Sequence, residues 1–513
     1  MNRKLDLPIL LLFTALLFGI IIRFYPALTN GFPLNDGGMF YSMTQDLKAN
    51  GFVLPNFATY NHMDIPFAYP PLGFYIAALL SALSPDSDLS IFLYLPAFIN
   101  SLSILAFYLL AKETLNSRLY ASLAALMYAL SPQAFVWQVM GGGITRSFGM
   151  LFLLLMLWQA VRLFRNYQHK HLLLTILFGV GAVTSHPQTA LHTVLGGALL
   201  FLFYGRQKRG LFSALLVGLG VALLSAPWWG TVLTRHGLEA FLSAGGTSPR
   251  TLEAYLSLVK FDQLEDYIAF PILLLGAIGI FFVKPRTVDV FFLITWGILA
   301  LLIDPRGGEG MGLLAFTVLA GMGLVKLSAW IGKMVSEQTE DVMMRPISLG
   351  LVMSLMTFLL FGSTIFDFRL LNTSLKADDL AMIEWVKSNV GEGKTFLLAT
   401  GIEFSMSDPL QEWFPALTEQ KSATTMQGLE WTLGKNFFPW YNELIAFQHC
   451  ENAECVSEWS AHNGVDYDYL VVLMPAEADE NEALKNLGVS VKASEEHTLV
   501  YESGHAYIFE LKK

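Results

Sequence analysis

The sequence predicts a polytopic α-helical membrane domain of about 11–13 transmembrane helices over residues 1–366, followed by a water-exposed α/β domain over residues 367–513. Three observations carry that prediction. The 513 residues are 54% hydrophobic and only 14% charged, outside the range of ordinary soluble domains. Apolar runs of membrane-spanning length recur up to residue 366 and then stop. Charge divides at the same place: residues 367–513 carry 10 Lys and Arg against 24 Asp and Glu, while the first 366 carry 22 against 18. The acidic sign of the exposed portion argues against a nucleic-acid partner.

The runs fall at 7–28, 90–111, 117–137, 147–164, 171–184, 187–204, 210–230, 267–283, 288–303, 311–332 and 346–366. A span needs about 20 apolar residues, and shorter runs are completed by interfacial flanks. The first follows "MNRK", is long for a signal-peptide core and lacks a small-x-small cleavage site, so it reads as a signal-anchor. Residues 71–83, "PLGFYIAALLSAL", are apolar but only 13 long, and are expected to form a short helix dipping into one leaflet. The alternative, a true crossing, would invert every later loop.

Basic residues set the orientation. Arg3 and Lys4, Lys112 and Arg118, Arg162, Arg165 and Lys170, Arg206, Lys208 and Arg209, Lys284 and Arg286, and Lys333 and Arg345 all fall on the side of the N-terminus when these eleven runs cross. The excess of Lys and Arg on cytoplasmic loops makes that side the inside. A long first loop (29–89), the loops 138–146, 185–189, 231–266 and 304–310, and the C-terminal domain are then outside, in a multi-pass protein of the cytoplasmic membrane.

In the C-terminal portion "DDLAMIEWVKSNVG" has helical spacing and ends on Gly, "KTFLLAT" and "YDYLVVLMP" are short strand-type runs, and "HTLVYESGHAYIFEL" reads as a hairpin. The only two cysteines, Cys450 and Cys455 in "CENAEC", lie in it. An even pair in an exported domain points to a small-loop disulfide, with two free thiols as the alternative.

The residues able to carry chemistry cluster in the outer loops. Asp36 in "PLNDGGMFY" is a carboxylate beside two glycines at the expected membrane boundary. It could take a proton from an incoming hydroxyl, bind a divalent metal, or simply cap a helix starting near Met39. "YNHMDIPFAYPPLGFY" adds His62, Asp64 and Tyr69 among prolines and aromatic rings that could stack on a sugar or anchor at headgroup level. Arg146 in "GGGITR" and Arg306 in "DPRGGEG" are cations next to glycines, suited to hold a lipid phosphate or merely to anchor. His186 in "SHPQT" could contact phosphate or cap a helix, and Glu265 and Asp266 in "FDQLEDY" could supply a second carboxylate to a metal or form a solvated face.

The order of first span, outer loop with an early Asp, "YPPL" leading into a short apolar helix, many further spans and an outward soluble domain resembles the GT-C superfamily of integral-membrane glycosyltransferases. The resemblance covers the membrane portion in layout but specific residues only over about 33–76. It implies a GT-C-like fold, a polyprenyl-phosphate-linked sugar as donor and a lipid, glycan or protein as acceptor. Asp36 takes the place of the loop Asp, and Pro70, Pro71 and Leu72 that of the Pro-Pro-Leu motif. "DPLQEWFPALT" (408–418) and "MQGLEW" (426–431) look like motifs of uncharacterised bacterial and archaeal relatives. There are departures. The Trp-Trp-Asp-Tyr-Gly signature of oligosaccharyltransferases is absent, Tyr69 stands where related transferases carry His before Pro-Pro-Leu, and the 138–146 loop has no acidic pair, which puts the implied Mg2+ or Mn2+ in doubt.

The expected activity is therefore transfer of a sugar from a polyprenyl-phosphate donor to an acceptor hydroxyl by inverting displacement. A transporter or flippase of lipid-linked saccharide would need ionisable groups in mid-span, whereas here they crowd the ends. A non-catalytic membrane protein with an exported binding domain would leave the elaborate first loop without a task.

Overall fold

The computed structural model describes residues 6–84, 88–247, 251–257, 260, 264–282, 288–305, 307–334, 342–474 and 481–512. The chain enters through α1 (Leu7–Asn30), capped by Asp6 and closed by Gly31 in the left-handed region at φ 71°. It then forms α2 (Gly38–Ala49), the two-residue strands β1 (Phe57–Ala58) and β2 (Ile65–Pro66), which pair antiparallel, and α3 (Leu72–Leu83). The bundle continues with α4 (Asp88–Leu115), α5 (Arg118–Ala129), the short α6 (Val136–Val139) and α7 (Gly143–Asn166). Next come α8 (His169–Val183), α9 (Pro187–Tyr204), α10 (Lys208–His236), α11 (Glu239–Gly246) and α12 (Leu252–Ser257). It closes with α13 (Leu264–Phe282), α14 (Val288–Ile303), α15 (Gly308–Met334) and α16 (Pro346–Leu371).

Among the described residues seven of these helices are long and apolar enough to cross a membrane: α1, α4, α7, α10, α13, α15 and α16. Helix α5 and the segment 132–139 are together long and apolar enough for an eighth but meet at an 89° bend, the geometry of a broken span or a re-entrant loop. Helices α8 and α14 are apolar but shorter, at 15 and 16 residues. Fewer helices than the eleven apolar runs thus pass as full-length spans, because a run interrupted by Pro132 or begun at a loop turn yields a short helix. Helices α7 and α15 form the centre, each with 72% of its apolar window buried, whereas α10 is peripheral at 17%.

Side chains mark the two ends of the bundle. At one end Arg118 bonds Asp6 at 2.9 Å, and Arg165 reaches Glu113 and Asp289, to which Tyr204 also donates. At the other, Leu72 N donates to Thr184 O at 2.9 Å, Gln188 bonds Asp304 at 2.6 Å, and Asp36 meets Arg146. The apolar runs alternate between these ends, as the basic residues predict. Helix α3 begins beside Thr184 and ends with Ser81 bonded to Asp88, the first residue of α4, so it stays at the Asp36 end. Its 12 residues rise about 18 Å, short of the roughly 30 Å hydrocarbon core. The expectation that ionisable groups crowd the helix ends needs one correction. Arg23 is fully buried inside the bundle, bonded to Asn100 and to the carbonyls of Gly19 and Ala129.

After α16 the chain builds an α/β unit. Its sheet has the order β4-β3-β5-β7-β6, with β3 (Thr395–Ala399) parallel to β4 (Lys421–Ser422) and to β5 (Tyr469–Leu473), and β6 (His497–Glu502) and β7 (Ala506–Leu511) forming the antiparallel hairpin expected. Helices α17 (Ala377–Asn389), α18 (Pro409–Thr418), α19 (Phe437–Gln448), α20 (Ala453–Asn463) and α21 (Glu482–Ala493) pack around it. Cys450 and Cys455 are joined in a disulfide. The unit is seated on the exit of α1: Leu34 and Ser374 form an antiparallel bridge and Asn35 N donates to Thr373 O at 2.7 Å.

Candidate active site at the Asp36 end of the bundle

Asp36 lies in the turn that joins α1 to α2. Its carboxylate is engaged on both oxygens: Arg146 Nη1 donates to Oδ2 at 2.8 Å, Arg146 Nη2 to Oδ1 at 2.9 Å, and Gly142 N to Oδ1 at 3.0 Å. The two side chains are only 10% and 15% exposed, so solvent screens the pair weakly. This bidentate fork needs Arg rather than Lys. It also needs the glycines before it, since a Cβ on Gly142 would lie 2.5 Å from Asp36 Oδ2 and 2.9 Å from the guanidinium. Arg146 is held from behind by Trp137, whose carbonyl accepts from Nε at 2.7 Å and whose ring lies 5.7 Å from the guanidinium. Asp36 is therefore not the cap of α2; Gly37 occupies that position and offers no side chain.

Tyr69 is buried beside Arg146, its hydroxyl pushed far up by burial and only partly eased by Thr145 and the Arg146 charge. Its ring packs edge-on against His186 at 6.1 Å and Trp431 at 5.8 Å. His186 is the N-cap residue of α9. Four residues singled out in the sequence, Asp36, Arg146, Tyr69 and His186, are thus drawn together by three loops and the first turn of α7. The α/β unit adds what sequence reasoning left without a role. Asp408 caps α18 by accepting from Leu410 N at 2.9 Å, and the following Pro409 suits the first turn. One turn on, Glu412 is buried and accepts from Gly37 N at 3.0 Å and Met39 N at 3.2 Å. Burial, with the Asp36 charge next, raises its carboxyl to about 8. Glu430 contributes a further charge to the same surroundings. The signal for Glu412 was a lone carboxylate inside the apolar stretch "QEWFPAL".

Other candidates lie elsewhere. His62 and Asp64 are exposed, both at positive φ, and His62 Nε2 is spent on Glu419 O at 2.8 Å, so the loop turns them away from the Asp36 pair. Glu265 and Asp266 stand at the start of α13, where their charges act on Glu309 rather than on Asp36, so they supply no second carboxylate to it. Arg306 lies outside the described residues. For a metal, a hard divalent cation needs several free oxygens. Both Asp36 oxygens are on Arg146, and no three His, Cys, Asp or Glu side chains among the described residues are grouped as ligands, so these residues do not fit one.

Residues 68–230 match the profile of a family described as dolichyl-phosphate-mannose-protein mannosyltransferase. No curated protein sequence matches the chain. Among solved structures, the archaeal oligosaccharyltransferase AglB from Archaeoglobus fulgidus, in complex with an inhibitory peptide and a dolichol-phosphate, is similar with a TM-score of 0.63 at 12% identity, over 99% of this chain and 74% of that one. An Archaeoglobus fulgidus oligosaccharyltransferase in complex with Zn and sulfate is similar with a TM-score of 0.56 at 12% identity, over 90% of this chain and 67% of that one. ArnT from Cupriavidus metallidurans, bound to undecaprenyl phosphate, is similar with a TM-score of 0.56 at 14% identity, over 96% and 97% of the two chains. The arabinofuranosyltransferase AftD from mycobacteria gives 0.57 at 13% identity, over 98% of this chain and 40% of that one. The apolar bundle with its appended α/β unit thus has the fold of these AglB, ArnT and AftD structures.

Proposed function

We propose that the protein is a membrane glycosyltransferase that moves a sugar from a polyprenyl-phosphate donor to an acceptor hydroxyl at the outer face of the cytoplasmic membrane. The observation that carries this reading is the Asp36–Arg146 fork at one end of a GT-C bundle, walled by Tyr69 and His186. The fork engages both Asp36 oxygens, so a substrate proton competes with Arg146 for them. A donor phosphate competes for the same guanidinium, because phosphate and carboxylate present the same bidentate geometry to Arg. Arg146 then neutralises the phosphate, and the released Asp36 faces the acceptor hydroxyl. In the transfer step the acceptor oxygen bonds to the anomeric carbon as the bond from that carbon to the phosphate oxygen breaks. The electron pair stays with the polyprenyl phosphate, stabilised by Arg146, and Asp36 receives the acceptor proton. Displacement from the opposite face inverts the anomeric centre.

Sidedness in this proposal rests on the basic clusters of the sequence: with Arg118 and Arg165 at the end opposite Asp36, the excess of Lys and Arg on inner loops supports reading the Asp36 end and the domain 367–513 as outside the membrane domain 1–366. The test is transfer from a radiolabelled polyprenyl-phosphate sugar by purified protein in lipid nanodiscs. Asp36→Asn and Arg146→Gln are expected to insert normally and to lose at least about 100-fold in turnover. Wild-type turnover in Asp36→Asn would remove Asp36 from the reaction. Substrate-dependent flux into vesicles without transfer would favour transport instead.

A further inference from the structure

We propose that Glu412 is a positioning residue of this site: the α/β unit supplies it to cap α2 from outside, and so fixes the backbone that carries Asp36. The inference rests on the transferase reading of Asp36. Helix α2 begins at Gly38 after Gly37, a cap residue without a side chain, so the orphan N–H groups of its first turn need an acceptor from elsewhere. Glu412 Oε1 provides it, taking Gly37 N and Met39 N across 375 and 373 residues of sequence. The next residue completes the grip, since Trp413 Nε1 donates to Asn35 O at 2.8 Å. Asp36 is thus bracketed, its preceding carbonyl held by Trp413 and its following N–H by Glu412, while Arg146 and Gly142 hold its side chain.

The seat is tight. A Cβ on Gly38 would lie 2.1 Å from the Glu412 carbonyl oxygen, which also accepts from Tyr60 Oη at 2.8 Å. Glu412 faces Asp36, Arg146, Glu430 and Tyr60, and its carboxyl is bonded to the Gly37 and Met39 backbone N–H groups, so it acts through the backbone. A shift of Asp36 by about 1 Å is enough to cost on the order of 100-fold in a positioned reaction.

The experiment compares full-length wild type, Glu412→Gln and Glu412→Leu in nanodiscs. Gln keeps an acceptor oxygen for both N–H groups, whereas Leu keeps bulk and none. Glu412→Gln is expected to stay within about 3-fold of wild-type kcat, and Glu412→Leu to fall by about 100-fold with donor KM within about 3-fold. Hydrogen exchange over residues 33–45 is expected to speed up in Glu412→Leu and to match wild type in Glu412→Gln. Wild-type exchange or wild-type kcat in Glu412→Leu overturns the inference, as does a loss in Glu412→Gln equal to that in Glu412→Leu. Should Glu412→Leu fail to fold, Gly38→Ala separates α2 from α18 by its Cβ and must reproduce the same loss of kcat at unchanged KM; wild-type kcat there overturns it equally. Asp36→Asn assayed in parallel separates the two readings: if it retains turnover, the transferase role of Asp36 fails, and if it alone is dead, only the role of Glu412 does.

Discussion

Replacing Arg146 by Met keeps the length of the side chain and removes its charge. Asp36, 7% exposed, would be left with one donor, Gly142 N, for a buried carboxylate. Removing one partner of a buried ion pair typically costs about 3–5 kcal/mol. With tenfold in an equilibrium constant per 1.4 kcal/mol, the folding constant should drop by roughly 100- to 4000-fold. Asp36→Asn should cost less, about 1–3 kcal/mol, because the amide oxygen can still accept from Gly142 or Arg146. The two residues share one fork, so their effects should not add. In the Asp36→Asn background Arg146→Met should cost at least about 2 kcal/mol less than in wild type. Equilibrium unfolding in mixed micelles, followed by tryptophan fluorescence, measures all four corners of the cycle. Additivity within about 0.5 kcal/mol would refute the reasoning, since it would mean that the fork exists only as a drawn contact.

Three further outcomes follow from the same structure. Burial raises the Glu412 carboxyl from its ordinary 4.5 to about 8, so the folded state holds a proton that the unfolded chain has released. Stability should therefore fall as pH rises between those two values, and Glu412→Gln should flatten that slope in a pH series of unfolding midpoints. The Cys450–Cys455 bridge closes a loop of sequence separation 5, which corresponds to about 2 kcal/mol of chain entropy; Cys450→Ser with Cys455→Ser should lower the free energy of unfolding by that amount, and reductant should then have no further effect. Among the described residues no cysteine is free, so single thiols at exposed Asn50 and Asn116 report sidedness. A membrane-impermeant maleimide should label Asn50→Cys in intact cells and Asn116→Cys only after lysis; the reverse pattern would turn the protein over.

Much of the fold was legible because membrane solvation imposes it. Apolar runs must become helices, basic residues mark one end, and short strand-type runs after Leu371 became β3, β5 and the β6–β7 hairpin. The length of each helix was less legible: "YALSPQAFVW" reads as one run, but Pro132 ends the hydrogen-bond ladder and bends it. At the site, glycines beside a lone charge pointed to both Asp36 and Arg146. That they pair with each other, 110 residues apart, is a long-range fact that no local pattern encodes. His62 and Asp64 carried the same local signals of rings and prolines, yet positive φ at both turns them to solvent. Glu412 was hidden for the opposite reason, since its acceptor role belongs to the first turn of a helix far away in sequence.

The bond from Gly37 to Glu412 also has a meaning in time. Synthesis proceeds at roughly 5–20 residues per second, so the 375 residues between them amount to about 20 to 75 seconds of translation. During that interval the N-terminal turn has already emerged but lacks its latest-made neighbour. A truncated product that ends before residue 412 would therefore insert with the first turn of α2 still missing that acceptor.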